Sequence, residues 1–294
     1  MYGCYLVSYI SDETENMKKL IRMIVLICIM FLVISCDESI YHDTVGGGYD
    51  VVCFGDSILG NIPNEEPSNI SNVVADKTQL KVLNAGFGGC QMSEHAREWD
   101  TLSFYNLSAC IEKDSFITIT SVIPTWHDMP SYFPSKVDQL ETVDFRKVNV
   151  VTVSYGTNDY REGDELDNEI DPYDTKTVCG ALRVGVEHLR SVNPNLIIIV
   201  TTPIYRWFMD ESFEYVCDSD IKDWGGGTLI DYNEALIRTC KELGVVCLDL
   251  YNGTGINRSN YKDFFDYEDG THPNAAGRVL IGELIADAIN SNWH

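Results

Sequence analysis

The chain has 294 residues, 45% of them apolar, which is enough to bury one large core and allows one α/β domain with extra segments. A formal net charge of -24 argues against nucleic acid as a partner, because its phosphates would be repelled. The acidity serves solubility and does not mark the substrate as a cation.

The amino terminus reads as a targeting segment. Lys18, Lys19 and Arg22 form a basic patch ahead of the apolar run from Met23 to Ile34. That run is short for a spanning helix, which needs about 20 residues, and fits the apolar core of a secretory signal. It closes with Val33-Ile34-Ser35-Cys36, followed by polar Asp37-Glu38-Ser39. This order resembles a bacterial lipobox. The resemblance implies that Cys36 is lipidated and becomes the new amino terminus of an exported, membrane-anchored protein. Residues 1–16 do not fit ahead of a signal, and Met17 begins a normal one. The expected organisation is a signal with lipobox over 1–36, a polar, glycine-ending tether over 37–48, and one domain over 49–294.

Val51 to Phe54 is a short apolar run that predicts a buried strand, and Gly55-Asp56-Ser57 breaks it. A serine just past the carboxyl end of a parallel strand sits where open α/β sheets place ligands. Gly55 would allow backbone angles that a side chain forbids, giving a tight turn and an accessible Ser57. Residues 60–78 predict a loop and a helix. Leu80 to Leu83 is a second strand candidate, leading into the glycine-rich Asn84–Gly89, whose N–H groups could face a ligand.

Residues 93–112 have helical character. Phe116 to Val122 alternates apolar and hydroxyl residues and predicts a strand at an edge. The segment 123–146, with Trp126, His127, Tyr132 and Phe133, reads as an inserted loop or lid, and a lone His127 there is left out of the site. Val148 to Val153 predicts a strand ending in Ser154-Tyr155-Gly156-Thr157-Asn158-Asp159. A helical stripe over 177–190 is followed by the strand Leu196 to Val200, which Pro203 ends. Residues 204–230, aromatic and acidic, read as a second loop bordering a pocket. A helix over 232–243, a strand from Val245 to Leu250, the stretch Asp269-Gly270-Thr271-His272-Pro273 and a helix over 275–290 complete the chain. Pro273 suits a helix start. Strands alternating with amphipathic helices predict a mostly parallel sheet of five strands, covered on both faces.

Cys4, Cys28 and Cys36 belong to the leader; Cys53, Cys90, Cys110, Cys179, Cys217, Cys240 and Cys247 are scattered without metal-ligand spacing. They are expected as buried free thiols, with a bridge or two left open by an export compartment.

Acyl transfer needs a nucleophile, a base touching it, a group orienting the base and donors for the oxyanion. Ser57, His272 and Asp269 supply the first three. Asp269 lies three residues before the histidine and can hold the ring's other nitrogen; Glu268 competes for that role. Backbone N–H groups of Ser57 and Gly89, with the Asn158 amide, can face the oxyanion.

Gly55-Asp56-Ser57, the Asn84–Gly89 loop, Gly156-Thr157-Asn158-Asp159 and Asp269-Gly270-Thr271-His272-Pro273 appear in the order seen in the SGNH, or GDSL, hydrolase superfamily, which the chain resembles over roughly residues 50–290. The resemblance implies a flavodoxin-like three-layer α/β/α fold, no metal and no cofactor. It also implies roles of nucleophile, oxyanion glycine, oxyanion asparagine and base for Ser57, Gly89, Asn158 and His272. The serine motif reads GDSI, an apolar swap, and the second block leaves Gly88 or Gly89 as donor. The G-x-S-x-G elbow of α/β-hydrolases is absent around Ser57.

The expected activity is ester hydrolysis outside the cytoplasm, on an O-acetylated carbohydrate or other small ester. A lysophospholipase or thioesterase would use the same chemistry. A non-catalytic carbohydrate-binding lipoprotein would show a broken triad. A flavodoxin-like nucleotide binder would need a phosphate loop that the first block lacks.

Overall fold

A computed structural model describes residues 48–293 apart from Glu98 and Tyr267. The expected leader, Cys36 and nearly all of the tether therefore lie outside the described residues.

Four of the expected strands form near their apolar runs, and the second is shifted from Leu80–Leu83 to Val82–Gly86, so that Asn84–Gly86 is strand rather than loop. Strand β1 (Val51–Gly55) leads into a single helical turn, α1 (Ser57–Gly60), then α2 (Ile70–Thr78) and β2 (Val82–Gly86). Next come α3 (Phe104–Glu112), α4 (Ile117–Val122) and α5 (Phe133–Glu141), then β3 (Val150–Ser154) and α6 (Thr157–Glu162). Helix α7 (Val178–Val192) precedes β4 (Ile197–Thr201), and β5 (Trp207–Met209) and β6 (Tyr215–Asp218) follow. The chain ends with α8 (Leu229–Leu243), β7 (Val246–Leu248), the short turns α9 (Leu250–Gly253) and α10 (Tyr261–Phe264), and α11 (Ala275–Asn292).

The main sheet has five strands in the order β2-β1-β3-β4-β7, every pairing parallel. Side chains alternate between its faces. Val52, Phe54, Val151, Val153, Ile198 and Val200 pack against α3, α5, α7 and α8. Val51, Cys53, Val150 and Ile199 pack against α2 and α11. This is the expected three-layer α/β/α arrangement, and it explains why the strands are apolar throughout: both faces are covered. The chain steps from β1 to β2 on one side and returns to β3 on the other, so the carboxyl end of β1 is a topological switch point.

Four expectations change. Phe116–Val122 is helical, not an edge strand. Phe116, Ile119 and Ile123 are buried while Ile117 is 71% exposed, so burial follows helical spacing and packing overrides β propensity. Only Phe104–Glu112 of the stretch 93–112 is α-helix, because the Met92 and Ser93 amides are committed to the Asp159 carboxylate. The segment 123–146 is no lid: Phe133, Val137 and Leu140 of α5 lie in the core. The second insert forms an antiparallel hairpin, β5–β6. The seven described cysteines are free, five of them buried as expected and Cys217 and Cys247 only partly so.

Candidate active site

Ser57 opens α1 immediately beyond β1. Asp56 caps that turn, its carboxylate accepting from the Ile58 N–H at 2.9 Å. Burial pushes the Asp56 carboxyl up to about 7, against the lowering pull of that hydrogen bond and of His272. Gly55 is needed for a reason other than the expected one. It does not take a left-handed conformation; a Cβ there would lie 3.0 Å from Leu59 Cδ2 and 3.1 Å from the Ser154 carbonyl oxygen. The turn folds back tightly on its own strand end.

His272 arrives from the loop before α11, and its Nε2 lies 2.8 Å from Ser57 Oγ. Its Nδ1 lies 2.7 Å from Asp269 Oδ2. A carboxylate only accepts, so Nδ1 carries the proton and Nε2 is left to accept from the serine hydroxyl. Asp269 Oδ1 also accepts from the backbone N–H groups of Thr271 and His272 at 2.8 and 2.9 Å. Partial burial would raise the Asp269 carboxyl, but these hydrogen bonds outweigh it and hold the group at about 2. Asp269, rather than Glu268, is the carboxylate on the ring.

The register Gly55↔Gly86 and Gly55↔Ser154 brings the ends of β1, β2 and β3 level. Ser57, Gly89 and Asn158 thus follow three adjacent strands at one end of the sheet. The Gly88 N–H donates to Tyr132 Oη at 3.0 Å, which leaves Gly89 as the glycine whose N–H is uncommitted among the described residues. Gly89 has φ +79°, a backbone conformation that favours glycine. Asn158 donates one amide N–H to the Cys90 carbonyl at 2.9 Å, and its second remains for a ligand. Asp159 fixes the loop after β2 by accepting from Met92 N, Ser93 N and Ser93 Oγ at 2.7–3.1 Å.

Beside Gly89 and Asn158 is a cavity of about 290 Å³, walled by Trp99, Gln91, Arg97, Arg161, Asp100 and Glu162. Arg97 forks onto the buried Asp164 at 2.5 and 3.0 Å. Behind Asp56 and Ile58 an apolar void measures only about 40 Å³.

Two buried cations frame this end of the sheet. Lys136 Nζ donates to Asn84 Oδ1 and the Gly86 carbonyl at 2.9 Å and to the Gly60 carbonyl at 3.3 Å. Burial lowers its proton affinity to about 8. Arg206, 3% exposed, donates to the Thr157 carbonyl and hydroxyl and to the Thr271 hydroxyl. Neither was legible in the sequence, where each is one basic residue in an irregular stretch. His127, excluded above, is exposed.

A three-layer parallel fold with a serine, a histidine and an aspartate converging beyond the strand ends defines a class of α/β hydrolytic domains. The chain belongs to the GDSL-like lipase/acylhydrolase family, whose model matches residues 53–280, and is accordingly an esterase- or lipase-like hydrolase. A protein from Lactobacillus plantarum shares the fold at 18% identity and TM-score 0.56, over 84% of this chain and 99% of that one. A protein described as a possible lipase, from Chitinophaga pinensis, matches at 19% identity and TM-score 0.51, over 82% and 97%. A salicylyl-acyltransferase from a tetracycline biosynthetic pathway matches at 16% identity and TM-score 0.51, over 85% of this chain and 56% of its own. No curated protein matches the chain.

Proposed function

We propose that this protein is a serine ester hydrolase that removes short acyl groups, most notably acetyl, from carbohydrate outside the cytoplasm, tethered by lipid at Cys36. One observation carries the catalytic reading: Ser57, His272 and Asp269 form a continuous hydrogen-bonded chain of 2.8 and 2.7 Å although serine and histidine stand 215 residues apart. His272 Nε2 takes the Ser57 proton as Oγ attacks the ester carbonyl. Asp269 holds the imidazole in the right tautomer and stabilises the imidazolium. The N–H groups of Ser57 and Gly89 and the Asn158 amide receive the oxyanion, one such donor being worth about 3 kcal/mol of barrier. Collapse returns the proton to the departing alcohol and leaves an acyl-serine, which water opens by the same steps in reverse roles.

The cavities support a short, polar substrate. About 290 Å³ walled by one indole, a glutamine, two arginines and the carboxylates of Asp100 and Glu162 suits a sugar rather than a long alkyl chain, and the apolar void of about 40 Å³ is too small for one. The test is to offer the purified chain acetylated glycans, lysolipids and acyl thioesters, with Ser57→Ala alongside. Acetate release from glycans, absent in Ser57→Ala, is expected. Preferential turnover of lysolipids would replace the substrate assignment, and full turnover by Ser57→Ala would remove the mechanism.

A further inference from the structure

We propose that Arg206 is a positioning residue that locks the His272 loop to the loop after β3, so that the imidazole stays aligned on Ser57. This rests on the ester-hydrolase reading above.

The hairpin insert meets the histidine loop at two adjacent residues. The Trp207 N–H donates to the Gly270 carbonyl at 3.1 Å, and Arg206 Nη2 donates to Thr271 Oγ1 at 2.8 Å. The fit leaves no slack, because a Cβ on Gly270 would lie 1.9 Å from the Trp207 carbonyl oxygen. The other arm of the same guanidinium reaches across to α6, where Nη1 donates to Thr157 O at 2.9 Å and to Thr157 Oγ1 at 3.0 Å. Thr157 precedes Asn158, and Thr271 precedes His272. One rigid, planar group therefore ties the residue before the oxyanion asparagine to the residue before the base, a geometry that a lysine's single ammonium cannot reproduce.

Burying this cation is costly, and packing alone does not account for it. Among the described residues Arg206 forms no ion pair, and its Nε has no hydrogen-bond partner. The guanidinium also lies 5.9 and 5.6 Å from the ring centroids of Tyr160 and Phe208. An apolar residue of similar size would fill the space without the desolvation penalty. What it would lose is the bridge between the two loops.

The test uses the whole chain and varies Thr271, leaving the buried guanidinium in place. Thr271→Val removes the hydroxyl that Arg206 holds, and Thr271→Ser restores it. Two quantities are read: kcat and KM on p-nitrophenyl acetate, and the downfield proton NMR signal of the His272 Nδ1–H bonded to Asp269. In Thr271→Val, kcat should fall about ten-fold or more with KM little changed, and the downfield signal should broaden or vanish; Thr271→Ser should recover both. Wild-type values in Thr271→Val, or equal losses in Val and Ser variants, would overturn the proposal. Should the wild type hydrolyse no ester, the signal decides alone. A change in Val reversed in Ser keeps the positioning role while the ester reading falls, and an unchanged signal removes the role.

Discussion

The two inserts, 123–146 and 204–230, look alike in the sequence: irregular, aromatic and placed between strands. Each delivers one buried cation to the carboxyl end of the sheet, yet the cations hold different things. Lys136 binds the carbonyls of Gly60 and Gly86 and the side chain of Asn84, all within the frame that carries the nucleophile turn. Arg206 binds across to Thr271, in the loop that carries Asp269 and His272. A point charge collecting carbonyls serves a fixed frame; a forked, planar cation serves the joint between two separate loops. The contrast separates stability from turnover.

The largest effect expected is on catalysis. Arg206→Met should lower kcat per folded molecule about 100-fold, the scale of a misplacement near 1 Å, with KM little affected; steady-state kinetics corrected for folded fraction would show it. Lys136→Met should do the opposite. It removes three hydrogen bonds to buried acceptors, of which Asn84 Oδ1 keeps the Gly86 N–H, and should cost about 2–4 kcal/mol in denaturant unfolding, with kcat of the folded fraction nearly unchanged. Equal kinetic losses in both variants would erase the distinction.

A smaller effect concerns Asp56. Its carboxyl is pushed up to about 7 by burial, so the folded form keeps a proton that the unfolded chain releases near 3.9. The fold therefore loses stability as pH rises from about 4 to about 7. Asp56→Asn keeps a capping oxygen and removes that titration. The difference in Tm between variant and wild type should move in the variant's favour across that range; a constant difference would contradict the burial argument. Smaller still is the contribution of Asp269. Held at about 2, it stabilises the fold above the unfolded carboxyl's value and is lost only as pH falls from about 4 toward 2. The group is 40% exposed, so this term is weak.

Much of this molecule could be read from its residues, for physical reasons. Strands covered on both faces must be apolar throughout, so β1, β3 and β4 stood out as runs. Ser57, Asn158 and His272 sit beside short blocks of glycine, aspartate and threonine whose turn chemistry is local. Helix α4 departs from the expected strand because isoleucine and threonine alternate there in the sequence, while burial follows Phe116, Ile119 and Ile123. That choice is made by the core these three residues enter, which side chains of several helices and strands build and α4 alone does not contain. Arg206 and Lys136 were invisible for the same reason. A single cation carries no pattern, and its partners lie as far as 76 residues away. The preference for Gly89 over Gly88 depended on Tyr132, which sits in the first insert.

Covalent trapping with a fluorophosphonate, followed by peptide mass mapping, tests the central claim most directly, because it reads the nucleophile without assuming a substrate. A single adduct on Ser57, formed much more slowly in His272→Ala and not at all in Ser57→Ala, is the expected result. An adduct on any other residue, or undiminished labelling of Ser57→Ala, would contradict the account.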